Sequence, residues 1–134
     1  MDEFVDEEME PDAALNQITN AVIGACIAVH RELGPPYSEE IYEEALAMDF
    51  DARNISYSRQ HKIEVHYRGR VIGTGRIDFL IERQVIVELK TVDQLAPVHT
   101  AQVISYLRTT GCRLGLLINF RTKMLKDGIR RIAA

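Results

Sequence analysis

The chain has no tryptophan, two cysteines and four prolines in 134 residues. Cys26 and Cys112 lie 86 positions apart and fit no ligand spacing, which excludes a zinc ribbon or a disulfide scaffold. Cys26 sits in an apolar stretch and reads as a small core residue in a reduced, cytoplasmic setting. The longest apolar run, Ala21 to Val29, is too short for a bilayer span, so no membrane partner is expected. The first residues are acidic rather than basic and apolar, so no secretory leader is expected.

What the chain has is ordinary for one globular domain: 46% apolar and 27% charged residues. Its net charge of −4 is unevenly distributed. Seven of the 20 acids fall in residues 1–12, and without them the body carries +3. That acidic stretch has no apolar periodicity and reads as a disordered tail before a domain at 13–134. Arg121, Lys123, Lys126, Arg130 and Arg131 make the last stretch basic, an edge able to attract phosphate.

The periodicity predicts a helix from about Ala13 to Leu33, stopped by Gly34-Pro35-Pro36. A second runs from Glu39 to about Ala52, with Ser38 as N-cap and Tyr37 and Tyr42 as a hydrophobic staple. Strands follow at Lys62–Tyr67, Val71–Ile81 and Val85–Lys90, the first two joined by an Arg68-Gly69 turn. Pro97–Thr110 is a helix closed by Gly111. Leu114–Phe120 and Met124–Ile132 are the last two strands. The order α-α-β-β-β-α-β-β implies an α/β fold: a mixed sheet flanked by helices.

Three residues carry the chemistry. Glu88 and Lys90 are two apart in a strand and share a face, and charges on an otherwise apolar strand are costly to bury without partners. If residues 82–84 form a three-residue hairpin loop without a bulge, Asp78 falls directly opposite Glu88. Two carboxylates so placed repel each other unless a cation lies between them, and hard oxygen ligands suit Mg²⁺ or Mn²⁺. A lysine beside them can hold a water or offset charge developing on a phosphate. An Asp78–Lys90 or Glu88–Lys90 ion pair accounts for the spacing equally well.

Asp78 followed by Glu88-Leu89-Lys90 on the next strand resembles the PD-(D/E)xK nuclease superfamily, whose fold is restriction-endonuclease-like. More narrowly, the chain is similar to its GxxExxY family through His30-Arg31-Glu32-Leu33-Gly34, Glu39-Glu40-Ile41-Tyr42, Gly75-Arg76-Ile77-Asp78, Glu88-Leu89-Lys90, His99 to Leu107, and Gly115 to Phe120. The position opening the name motif is Pro36 rather than glycine, and Ile77 precedes Asp78. The resemblance implies metal ligation by Asp78, Glu88 and Glu39, catalysis by Lys90 with Asp78, Glu88 and Gln102, and a border to the site formed by Gln102 and Tyr106 on the following helix. It also implies nucleic acid, DNA above all, as substrate, with Tyr106, His99, Arg121 and Lys123 as candidate contacts and a homodimer or protein partner enlarging the surface. The alternative is a non-catalytic nucleic-acid- or protein-binding regulatory protein on a nuclease scaffold. A smaller phosphate ester is a third candidate substrate.

Overall fold

The computed structural model describes residues 9–134, with side chains from residue 13. Helix α1 (Met9–Leu33) and α2 (Glu39–Ala52) precede strands β1 (Tyr57–Tyr67), β2 (Arg70–Ile81) and β3 (Val85–Lys90). Helix α3 (Pro97–Thr110), β4 (Leu114–Asn119), a 3₁₀ turn at Leu125–Gly128 and β5 (Ile129–Ala133) complete the chain. The five strands form one sheet in chain order, β1-β2-β3-β4-β5. Every neighbouring pair is antiparallel except β3 and β4, which run parallel because α3 crosses between them.

Helices α1 and α2 cover one face, burying Val22, Cys26, Tyr42, Leu46 and Phe50 against Phe79, Val87, Leu89, Leu116 and Ile118. On the other face Val103 and Leu107 of α3 pack on Ile77, Ile86 and Leu117. With both faces covered, β4 is buried along its whole length and β3 almost so, which is why both read as unbroken apolar runs. Gly115 permits the close approach of α3, because a Cβ there would lie 2.7 Å from Cγ1 of Val103.

Three expectations need correction. The first helix begins at Met9, four residues ahead of the expected start at Ala13, while the rest of the acidic stretch lies outside the described residues. The first strand begins at Tyr57 rather than Lys62, and the last is confined to Ile129–Ala133 because Leu125–Gly128 forms the 3₁₀ turn. The apolar-run argument also understated α1: Ala13–Leu33 has the length and mean hydropathy, 1.2, of a membrane span. Its apolar stripe is spent on the sheet instead, since Leu15, Val22, Ala25, Cys26 and Val29 are all buried in the core.

A regular strand sends residues two apart to the same face. The β1–β2 pair breaks this rule once. Ile77 lies in the core under α3, yet Phe79 lies in the core under α1 and α2. On β1, Tyr57 and Ile63 are likewise divided. The change of face falls between the pairs Arg59–Phe79 and His61–Ile77, at Gln60 and Asp78. Gln60 has φ 50°, a left-handed conformation that a side chain adopts only under constraint.

Candidate active site

The loop at 82–84 sets the register expected of an unbulged three-residue turn: Ile81 pairs with Val85, Leu80 with Ile86 and Phe79 with Val87. Gln84 N–H donates to Ile81 O, and Glu82 and Arg83 take positive φ. One step further along, the ladder gives way to side chains. Asp78 N–H donates to Oε2 of Glu88 at 2.7 Å, and Leu89 N–H donates to Oδ2 of Asp78 at 2.8 Å. Each carboxylate thus bonds the backbone of the opposite strand, and the pair is held in the gap where β2 and β3 part.

The Glu88 side of this gap is buried, and Asp78 is partly so. Glu88 is 5% exposed. Burial, followed by repulsion from Asp78, pushes its carboxyl up to about 8, against the pull of the Asp78 N–H bond and of the Lys90 ammonium. Burial also raises Asp78, with Glu43 and Glu39 adding to the rise and the bonds from Leu89 N–H and Gln60 opposing it. Glu39, in the first turn of α2, adds the smallest of the repulsions felt by both carboxylates. Tyr106 lies on the α3 side. Burial and the charges of Glu88 and Asp78 raise its phenol, and its ring meets Gly75, where an added Cβ would touch Cε1 at 3.5 Å.

The surroundings fix these groups. Gln60 Nε2 donates to Oδ1 of Asp78 at 3.2 Å and to Oε1 of Glu43 at 2.7 Å. Arg59 spans Glu43 and Glu44, so β1 grips α2 beside the acids. Tyr42 is fully buried and stacks on Phe120 at 4.5 Å. Its hydroxyl donates to Gly34 O and accepts from Tyr37 N–H, fixing the loop that delivers Glu39. Ser38 makes no side-chain cap, while Tyr37 does meet Tyr42 edge-on at 6.1 Å. Beyond Lys90, the Asn119 amide bonds both Val92 N–H and Val92 O, and Phe120 N–H donates to Lys90 O.

The geometry joins Asp78 and Glu88 directly, with Lys90 two residues along β3 from Glu88; Glu39 and Tyr106 lie within electrostatic reach of the acids, but Glu39 does not close a three-ligand group with them among the described residues. Gln102 is exposed, one turn before Tyr106, and makes no hydrogen bond among the described residues. His99 Nδ1 accepts from Ala96 N–H, so this ring caps α3. Arg121 is exposed and lies 3.6 Å from Asp93, while Lys123 is exposed. His30 Nε2 bonds Thr122 O at 2.8 Å, tying α1 to the segment after β4. Sequence reasoning assigned no role to Glu43, Gln60 or Asn119. Glu43 was detectable, being one helical turn beyond Glu39. Gln60 owes its place to a backbone conformation that no spacing announces.

A divalent cation suits this donor set. Asp78 and Glu88 are acceptor-only when ionised, neither is in an ion pair among the described residues, and their mutual repulsion in a partly buried gap is what a dication offsets. No group of three or more His, Cys, Asp or Glu side chains closes a cage among the described residues. Asp78 and Glu88 would supply two oxygen ligands, and a Mg²⁺ ion commonly completes its shell with water or substrate oxygens.

Residues 16–132 match the PD-(D/E)XK nuclease superfamily. The chain belongs to this superfamily. Its mixed sheet between helical layers has the restriction-endonuclease-like architecture, and superfamily members typically use divalent metals. The crystal structure of SSO0001 resembles it with a TM-score of 0.50 and 20% identity, covering 97% of this chain and 68% of that one, a likeness of fold. A search of curated proteins gives no match.

Proposed function

We propose that this superfamily member hydrolyses phosphodiester bonds in nucleic acid, DNA in particular, with Mg²⁺ or Mn²⁺. The observation that carries the reading is the convergence of the Asp78 and Glu88 carboxylates in the gap between β2 and β3, with the Lys90 ammonium close enough to act on Glu88. Asp78 and Glu88 would hold the cation, and Glu39 of α2 would be its third protein ligand if α2 brings it closer when the cation binds. When bound, the cation would supply Lewis acidity toward phosphoryl oxygens and acidify a coordinated water.

The rest of the chemistry belongs to the chain. Lys90 stands two residues from Glu88 on the same strand face, where its positive charge orients a water and stabilises the negative charge growing on the phosphate. Leu89 N–H and Gln60 fix the Asp78 carboxylate from two sides, so its oxygens need no reorganisation when substrate arrives. Tyr106, partly buried on the α3 side, feels the charge of both acids and would help to keep water from that side. The motifs around Glu39 and Tyr42 support assignment to the GxxExxY group, and the buried Tyr42 hydroxyl gives its name-motif tyrosine a structural role. The two free cysteines support a reducing, cytoplasmic setting.

A cleavage assay with Mg²⁺ or Mn²⁺ on plasmid, single-stranded DNA and RNA tests the proposal. Wild type cleaves, and Lys90→Ala lowers kcat by about 10²–10³, the cost of removing one such charge-stabilising donor. If wild type cleaves none of these substrates, the nucleic-acid reading is wrong, and a nucleotide panel separates a smaller phosphate ester from a binding scaffold.

A further inference from the structure

The β2–β3 ladder covers only Phe79–Ile81, although β2 is twelve residues long. The remainder of β2 pairs with β1 alone, so the two strands leave the sheet as a ribbon. Its tip is a two-residue turn with Arg68 at φ 50° and Gly69 at φ 78°, the type I′ geometry that matches strand twist. Every residue from Glu64 to Ile72 is exposed. A two-stranded ribbon is marginally stable by itself. This one also departs from simple pairing between Val65 and His66, where Ile72 is left over and stands 65% exposed.

The ribbon is also the basic part of the surface beside an acidic site. Lys62, Arg68, Arg70 and Arg76 face one acid, Glu64, which is engaged by His66 at 3.6 Å. Lys62 lies directly opposite Arg76 in the register, and neither has an acid partner among the described residues. Like charges directly opposite destabilise a sheet. Lysine on an edge strand can be explained as protection against aggregation, but Arg76 is on β2, the inner strand. Arg76 is also only two residues from Asp78. In the C-terminal basic edge Arg121 is engaged by Asp93 and Arg131 by Asn16 and Thr19, leaving Lys123 and Lys126 exposed and without an acid partner among the described residues.

We propose that the β1–β2 ribbon is a docking arm for duplex DNA, resting on the nuclease reading above. The Lys62–Arg76 pair receives a backbone phosphate, and the Arg68–Arg70 tip follows the duplex away from the site. A two-stranded ribbon fits the major groove of B-form DNA, whereas the major groove of A-form RNA is too deep and narrow. A second copy of the chain suits this surface poorly, because pairing two β1 edges sets two positive ribbons side by side.

Fluorescence anisotropy with a short B-form duplex, in Ca²⁺ to suppress cleavage, tests the arm. Lys62→Gln/Arg76→Gln and Arg68→Gln/Arg70→Gln each weaken binding about tenfold or more; the first lowers the slope of log K against log salt by about one and the second by about two, one per lost phosphate contact. Arg121→Gln/Lys123→Gln weakens it less. All four side chains of the arm are exposed, so thermal melting verifies that the variants fold. Wild type binding duplex DNA with both arm variants matching it overturns the arm and leaves the nuclease reading intact. Arm variants that split a wild-type dimer, seen by sedimentation, make the ribbon a self-interface and overturn it equally. Wild type that neither binds nor cleaves nucleic acid overturns the parent reading as well.

Discussion

The two halves of the sheet are built in opposite ways. Strands β3 and β4 are short, parallel and apolar on both faces, and their register is unbroken from Val85–Leu114 to Lys90–Asn119. Strands β1 and β2 are long, antiparallel and largely exposed, and they change face at Gln60 and Asp78. The rigid half carries Glu88 and Lys90, and the irregular half carries Asp78. The acid pair exists because the two halves stop pairing one residue beyond Phe79–Val87, so the carboxylates occupy the places that ladder bonds would take. A regular sheet would satisfy those N–H groups by itself and leave no gap for a cation.

Truncation breaks the comparison most directly. Leu117→Ala removes a fully buried side chain between β4 and α3 and costs about 2–5 kcal/mol. Val71→Ala, half exposed on the ribbon, changes stability by about 0.5 kcal/mol or less. Urea unfolding of both variants measures the contrast. Equal losses would mean that the ribbon is part of the core.

The acid pair makes the second test. In the folded protein without metal the Glu88 carboxyl sits at about 8, against an ordinary 4.5. A raised carboxyl binds its proton more tightly folded than unfolded. Its stabilising effect is complete below about pH 4.5 and is lost as pH rises through about 8. The melting temperature of the metal-free protein therefore falls between about pH 5 and 8, and Glu88→Gln flattens that fall. Adding Mn²⁺ at about pH 8 restores stability to wild type alone. An equally steep fall in Glu88→Gln would place the titrating group elsewhere.

The smallest effect concerns the change of face. Glycine adopts φ 50° freely, so Gln60→Gly relieves strain of about 1 kcal/mol or less while removing the hydrogen bonds to Asp78 and Glu43. Stability holds or rises slightly, and kcat falls several-fold. Loss of stability with unchanged kcat would mean that Gln60 braces the fold and does not position Asp78.

Much of the regular half was legible in the sequence. The bounds of α2, β3 and α3 follow from local punctuation: the Pro35-Pro36 break, the 82–84 turn, Pro97 and the left-handed Gly111. The register of Phe79–Ile81 against Val85–Val87 was legible too, because a three-residue loop fixes it, but Asp78 and Glu88 lie one step beyond that ladder and meet through side-chain bonds to the backbone rather than as a cross-strand pair. The irregular half was not. The stretch from Tyr57 to His61 shows no alternation because the strand turns over at Gln60, so the pattern that marks a strand is erased where the site is made. Asn119 was equally hidden: a buried amide that holds the segment after Lys90 looks, in sequence, like the polar end of a strand.

Calorimetric titration of the metal-free protein with Mn²⁺ at about pH 8, for wild type, Asp78→Ala and Glu88→Gln, is the most direct test of the central claim that these two carboxylates together take a divalent cation. Wild type binds with release of protons from the acid pair, and each variant loses the binding. Undiminished Mn²⁺ affinity in both variants would contradict it.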